Sequence, residues 1–536
     1  MSEETRCYRP LIIGRRGAVA ANHPLAAQAG LLALRAGGNA ADAAVATALA
    51  LAVVEPMMSG LGGDGFYHVF DQASGRAVVF NGTGPAPQAA TPERYAAGIP
   101  RTGPLSASVP GMLGGLAAMH REYGRLPWAE LCAEAIRLAR EGFGATPHYR
   151  HFAAEHLATL RADRRSAAAL LTDGNAPSAG RHIVQPELAR SLEEIAADGA
   201  ECFYRGALAQ RLTAGCAEAG TLIAEADLAE FHAEIQQPIA IDYRGLTVLE
   251  APPNSTGFVL LEELKIVENF DLKAMGLGSA DLVHVLVEAK KLAFADRERW
   301  AADPRTISAP LAELLSASYA ARLAARIDMK RAAPTTAIAD AAGDTTYFCT
   351  ADGEGNAVSG IQSINSAWGS GVTAGGTGIL LNNRMAYWHL DPAHPNHLRP
   401  GRRVRHTMNP PLVLKDGKLW AVFGTPGADN QVQINLQVLT AMADFGLDPQ
   451  QAAELPRWTS NVPGQYANYP HDGPDVLTIE RRLPEGVRRE LARRGHPVDT
   501  VGDLDGPCSV EIIQRHPDGT LLAGSDPRRD GWALAW

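Results

Sequence analysis

Thr345 stands in Gly343-Asp344-Thr345-Thr346-Tyr347, where a stretch rich in Ala, Thr, Pro and Gly (331–343) gives way to a run with strand character. A threonine hydroxyl is a weak nucleophile at neutral pH and needs a base beside it. In a chain cut before Thr345, the new α-amine would be that base, with a pKa of about 7.7 to 8.0. The uncut chain can make this catalyst itself: the same hydroxyl attacks the carbonyl of Asp344, and water resolves the ester. Asp-Thr-Thr is common in turns, so residue type alone says little. Its place, at the head of a strand and behind a cleavable segment, is what an N-terminal nucleophile requires. The reaction expected is amide hydrolysis through an acyl-threonine, with Asp344/Thr345 as the cleavage point.

Other motifs carry less. Gly60-Leu61-Gly62-Gly63-Asp64-Gly65 fits the dinucleotide fingerprint in form, but a helix precedes it and a strand follows, the reverse of what places a helix N-terminus against a pyrophosphate. It reads as a structural turn. The six cysteines (Cys7, Cys132, Cys202, Cys216, Cys349, Cys508) show no CxxC pair and no histidine at ligand spacing, so reduced structural thiols are expected and no metal or cofactor. A formal charge of -10 excludes the basic stripe of a nucleic-acid binder. The chain opens without a secretory signal, and the Ala-rich run 40–56 carries Asp42 and is shorter than a bilayer span. A cytoplasmic protein without membrane attachment is expected.

These residues need elements to hold them. Apolar spacing predicts helices over 23–36 and 40–54, then two short strands at 66–70 and 77–80. From Pro110 to about Ala341 the pattern reads as mainly helical, with helices at 112–123, 128–141, 187–197, 281–303 and 311–327. Strand signals return at 345–350 and 357–364 around Asp352-Gly353-Glu354-Gly355-Asn356, and at 412–414 and 419–423 around Asp416-Gly417. Helices at 431–445 and 485–494 follow. Strands near both ends with helices between predict an α+β fold with one sheet system assembled from distant parts of the chain.

Taken together, several motifs resemble the γ-glutamyltranspeptidase family over nearly the full length. They include Gly17-Ala18-Val19-Ala20-Ala21-Asn22-His23-Pro24, Gly37 to Ala44, Glu55-Pro56 into Ser59 to Gly65, Asp344-Thr345-Thr346 and Asp352 to Val358. Gly375 to Asn383, Gly424 to Gly427 and Ser525 to Arg528 complete the set. The resemblance implies a four-layer αββα sandwich, cleaved into a heavy part (1–344) and a light part (345–536) that stay together as one intertwined domain. It gives Thr345 as nucleophile, Ser363 as the second hydroxyl beside it, and Asn365 as a substrate contact. Gly427 and Ala428 fall on the paired glycines whose N–H groups form the oxyanion hole.

The family's grip on a γ-glutamyl donor is where this sequence departs. Thr83 stands at the arginine that holds the α-carboxylate. Tyr387 stands at the acidic residue that pairs with the α-ammonium, and Arg384 where a Gln or Glu is usual. His406 and Thr407 replace paired serines. Arg384 and His406 suit a substrate carboxylate instead. The branch implied is therefore that of oxamate amidohydrolase and the glutaryl-type cephalosporin acylases, acting on a small carboxylated amide. Two alternatives stay open: a γ-glutamyltransferase or glutathione hydrolase with a rebuilt subsite, and an uncleaved binding protein. In a bland reading, Arg384 is a solvated charge and Arg399, Arg402, Arg403 and Arg405 form a basic loop. Homo-oligomerisation is left open.

Overall fold

The computed structural model describes residues 7–334, 345–506 and 508–536. Asp344 and most of the expected linker lie outside the described residues.

Period-two burial organises the centre. In the strand Thr346–Asp352, Tyr347, Cys349 and Ala351 share one apolar cluster with Phe66, Phe70, Leu412, Val422 and Ile513, while Phe348 joins a different one. A strand buried on both faces needs a layer on each side, because alternate side chains point opposite ways. One layer is a second sheet and the other is helical. The first sheet has seven strands in the order Trp532–Ala535, Gly17–Ala21, Thr346–Asp352, Ala357–Ser363, Asp64–Asp71, Arg76–Gly82 and Glu234–Gln236. The second also has seven: Ile12–Gly14, Leu521–Ser525, Glu511–Arg515, Lys418–Gly424, Leu412–Lys415, Leu246–Glu250 and Ile239–Tyr243. Pro24–Arg35, Ala40–Val54 and Met112–Tyr123 cover the outer face of the first sheet, with Trp128–Glu141 packed behind them, and Gly257–Val267 and Asn430–Ala443 cover the second, with Ala280–Trp300 packed behind. The architecture is the expected four-layer αββα sandwich of α+β class.

The helix Ala40–Val54 is buried at every position, which its Ala-rich sequence permits. Its one charge is used at the start. Asn39 accepts from the N–H groups of Ala41 and Asp42 at 2.9 and 3.1 Å, and Asp42 accepts from Asn39 N at 2.9 Å. This reciprocal cap is worth about 1 kcal/mol. No described helix is long and apolar enough to cross a membrane.

Two expectations need correction. The stretch 110–341 is not helical throughout, since it contributes Glu234–Gln236 to one sheet and the hairpin Ile239–Tyr243/Leu246–Glu250 to the other. The hairpin turns on Arg244 and Gly245, with φ of +54° and +78°. Helix 311–327 is two pieces, Leu311–Leu314 and Ala317–Ala324, because Ser316 caps the second by accepting from Tyr319 N at 3.2 Å.

Candidate active site

Register places Thr345. Thr346 pairs with Gln362 across the antiparallel hairpin, so Thr345, one residue earlier, comes opposite Ser363 at the end of Ala357–Ser363. Their hydroxyl oxygens are 3.3 Å apart and both residues are buried. Ser363 Oγ also accepts from Asn365 N at 2.8 Å, which ties the turn after the strand to the same oxygen. The carbonyl of Thr345 accepts from Arg529 Nη1 at 3.5 Å.

Asn365 adopts a left-handed φ of +82°, which asparagine tolerates better than most residues. Its amide is held from three sides. Nδ2 donates to Asn383 O at 3.1 Å and Asn468 Oδ1 at 2.9 Å, and Oδ1 accepts from Arg384 Nη1 at 3.2 Å. Asn365 thus ties Arg384 to the hairpin that begins at Thr345.

Gly427 and Ala428 form the turn between the strand Lys418–Gly424 and the helix Asn430–Ala443. That strand passes the one that follows Thr345, since a Cβ on Gly424 would lie 2.4 Å from the Tyr347 ring. Both turn residues have positive φ, +120° and +49°. At Gly427 a side chain would also strike Cys508 Sγ, at 2.2 Å. Their carbonyls are used by the helix start, accepting from Asn430 N at 2.9 Å and Gln431 N at 3.1 Å. Among the described residues, neither N–H of the pair is engaged in a hydrogen bond. Two adjacent donors left unused in a buried turn are what an oxyanion hole needs.

Around Arg384 lies a closed ionic cluster. Arg384, 1 % exposed, begins the short 3₁₀ turn Arg384–Tyr387, donates from Nε to Asp64 Oδ2 at 3.1 Å, and lies over the Tyr387 ring at 4.6 Å. Its Nη2 has no hydrogen-bond partner among the described residues. Tyr387 exchanges a hydrogen bond with Thr407 at 3.0 Å between hydroxyl oxygens. His406 packs edge-on against Phe66, and its Nε2 is 3.5 Å from Asp64 Oδ2. Burial, reinforced by the Arg384 charge, pushes His406 down to about 4 against the pull of Asp64. The ring is therefore neutral at neutral pH, and Arg384 is the cation that balances Asp64. Burial works to raise the Asp64 carboxyl, but His406, Arg384 and the Gly84 N–H, which donates at 2.8 Å, hold it below its ordinary value.

The arginines are not a solvated loop. Arg384 and Arg405 are buried in ion pairs, and Arg403 donates from Nε to the carbonyl of Thr83 at 2.7 Å and pairs with Glu234. Of the basic residues in question only Arg399 is well exposed. Thr83 is buried and turned to Asn81, donating to Oδ1 at 2.7 Å. The glycine run 60–65 sits between helix and strand as expected, and its Gly62 carbonyl accepts from Asn382 Nδ2 at 2.8 Å. Sequence reasoning passed over its acidic member, Asp64. The available signal was a carboxylate at the head of a strand whose next positions, Gly65 to Phe70, are buried and mostly apolar.

Two histidine and carboxylate groups lie close enough to be weighed as metal sites. In the first, His284 and His496 bond each other at 2.8 Å, His284 bonds Asp328 O at 2.9 Å, and Glu288 is taken by Lys291 and by Ala333 N. In the second, Glu298 is paired with two arginines, and His389 and His394 stack at 3.4 Å with planes 6° apart, so their in-plane lone pairs run parallel instead of converging. Neither arrangement offers a ready ligand set. Burial alone pushes the Cys132 thiol up to about 12, as suits a structural residue.

Sandwiches of this layering, with a hydroxyl residue at the head of a central strand and spare N–H donors in a neighbouring turn, make up the class of N-terminal nucleophile hydrolases. Within that class the assignment is direct. The chain belongs to the γ-glutamyltranspeptidase family, whose model matches residues 26–536, and it is an enzyme of that family. It is 40% identical to the glutathione hydrolase-like YwrD proenzyme of Bacillus subtilis, over 98% of this chain and 99% of that protein. It is 38% identical to the acylase ACY 1 proenzyme of a Pseudomonas strain, over 99% and 95%. Among solved structures, the cephalosporin acylase from Bacillus halodurans superposes with a TM-score of 0.90 at 37% identity, over 100% of this chain and 98% of that one.

Proposed function

We propose that the protein is a self-processing amidohydrolase that cleaves small amides bearing a carboxylate, through an acyl ester on Thr345. The observation that carries this reading is the Arg384 guanidinium. It is buried, bonded through Nη1 to Asn365 beside the nucleophile, and retains an unused Nη2 donor where the family's ammonium-binding residues are replaced. A carboxylate is the group such a donor recognises. In this scheme the chain is first cut between Asp344 and Thr345, leaving parts 1–344 and 345–536 associated. The freed α-amine takes the proton from Thr345 Oγ as it attacks the amide carbon, and the Gly427 and Ala428 N–H groups hold the oxyanion. Collapse breaks the C–N bond, and the ammonium returns its proton to the leaving amine. Water, deprotonated by the same amine, then releases the carboxylic product and restores the hydroxyl.

Asp64 favours a second reading. A buried carboxylate in the recognition cluster could face the α-ammonium of a γ-glutamyl compound if Arg384 turned away. Three probes separate the two after intact mass has established the cut: glutaryl-p-nitroanilide, γ-glutamyl-p-nitroanilide and oxamate. Turnover of the glutaryl anilide or oxamate at least tenfold above the γ-glutamyl anilide is expected. The opposite order overturns the carboxylate reading, and an uncut, inactive chain overturns both.

A further inference from the structure

Asp429 directly follows the two residues with unused N–H groups and occupies the N-cap of the helix Asn430–Ala443. An aspartate there ordinarily turns its carboxylate onto the first free helical N–H groups, which is worth about 1 kcal/mol. Asp429 makes no such bond. One oxygen pairs with Arg297 Nη1, and the other accepts from Ala467 N at 2.7 Å. The cap has been given up for a contact elsewhere.

Arg297 lies near the end of the helix Ala280–Trp300 and is 2 % exposed. The Phe294 ring lies 4.1 Å from its guanidinium carbon. Besides Asp429, it donates to the carbonyl of Gln465 and, from Nε and Nη2, to Glu298 Oε1 at 2.9 and 2.6 Å. Glu298 Oε2 in turn accepts from Arg405 Nη1 at 2.6 Å. Burial opposes ionisation of Glu298, yet the charges of Arg405 and Arg297 hold it well below the usual carboxylate range. Two cations and two anions thus balance inside the protein. They touch three edges of the site: the turn 427–429, the segment 405–407, and the loop 465–468 whose Asn468 bonds Asn365.

A buried ion cluster adds little net stability over apolar packing, so its geometry is the more informative property. Here the geometry grips a strained residue. Ala428 holds φ at +49°, a conformation that costs a residue with a Cβ about 1 kcal/mol and persists only when its surroundings enforce it. Its neighbour is clamped from two directions by charge-assisted bonds.

We propose that Arg297 and Asp429 are positioning residues for catalysis: their ion pair holds Ala428 left-handed, so that its N–H and that of Gly427 point at the developing oxyanion. The inference rests on the oxyanion role given above to that pair. A misaimed donor is felt in the transition state more than in substrate binding, so its loss appears in kcat.

The test compares Asp429→Asn with Asp444→Asn. Asp444 is paired to Tyr243 and Arg244 at the other end of the same helix, about 20 Å away. Rates on glutaryl-p-nitroanilide are taken per processed chain, counted by intact mass. Asp429→Asn should lower kcat 10- to 100-fold with KM within twofold, and Arg297→Lys should do the same more weakly. Asp444→Asn should leave kcat within twofold even where it lowers the melting temperature as much. The loss should shrink in an Ala428→Gly background, where left-handed φ needs no enforcement. A second readout does not depend on turnover: a crystal structure of Asp429→Asn should show Ala428 leaving positive φ. Unchanged kcat, an equal loss in Asp444→Asn, or an Ala428 that stays in place would each overturn the proposal. A wild-type enzyme inert to the anilide would instead count against the proposed substrate, and the crystal structure would still decide this one.

Discussion

The two ends of the candidate site are built on different scales. At the end proposed to hold the nucleophile, Thr345 and Ser363 are 18 residues apart and are brought together by one antiparallel hairpin. The polar groups there are hydroxyls, amides and backbone N–H groups, with Arg529 at the Thr345 carbonyl; the α-amine that the proposed cut would free is the group that titrates near neutral pH. At the recognition end, Asp64 and Arg384 are 320 residues apart, and the ion pair forms only when two distant segments meet in a buried site. The first end depends on local register, and the second on long-range assembly and on the balance of charge. Changes at the first should therefore strike the chemistry, and changes at the second should strike binding, stability and pH response.

The sharpest expected break is Thr345→Ala. Chain cleavage seen by intact mass and amide turnover should be lost together, the latter by at least ~10³-fold. Residual turnover of the best substrate would remove Thr345 from the mechanism. Ser363→Ala should lower kcat about 2- to 10-fold, the value of one hydrogen bond of ~0.5–1.5 kcal/mol between neutral hydroxyls, with rescue by Ser363→Thr. At the other end, Arg384→Ala should leave cleavage intact and raise KM for glutaryl-p-nitroanilide about tenfold. It should also destabilise the protein by roughly 3–5 kcal/mol, because Asp64 is left charged and buried. Thermal melts of Arg384→Ala, Asp64→Asn and the double variant should show the double losing less than the sum.

The smallest effect is the pH response. The folded value for His406 is about 4, below the ordinary 6.5. The unfolded chain thus binds the extra proton between those values, so stability from this group is full above pH 6.5 and is lost as pH falls toward 4. His68 is pushed down to about 4 by burial in the same way and contributes over the same window. Melting temperature should fall as pH drops below 6.5, less steeply in His406→Asn than in the parent. An unchanged slope in that variant would mean that His406 is not the titrating group.

These scales also decide what could be read in advance. The helices 112–123 and 128–141 and the hairpin after Thr345 were legible because apolar period and turn residues lie within a dozen positions of one another. The hairpin at 239–250 escaped because its turn is Arg244-Gly245, in which an arginine takes the left-handed position usually marked by Asn or Asp. The positions and types of Arg384 and His406 were visible, but their partner was not. Nothing near Asp64 in the sequence announces a cation supplied from 320 residues away. The cluster that fixes Asp429 was hidden for the same reason, since Arg297 reads in isolation as one charge on an amphipathic helix.

The strand order has a consequence for how the molecule is made. Gly17–Ala21 lies hydrogen-bonded between Trp532–Ala535 and Thr346–Asp352, so segments from either side of position 344 alternate across one sheet. While the chain is continuous, folding is a first-order event. Once it is cut before Thr345 as proposed, the two polypeptides can part only by tearing the sheet, and any refolding becomes a second-order encounter that depends on concentration. Maturation would then act as a ratchet: each molecule folds once, as a single chain, and its later lifetime is set by how slowly that interleaved sheet opens.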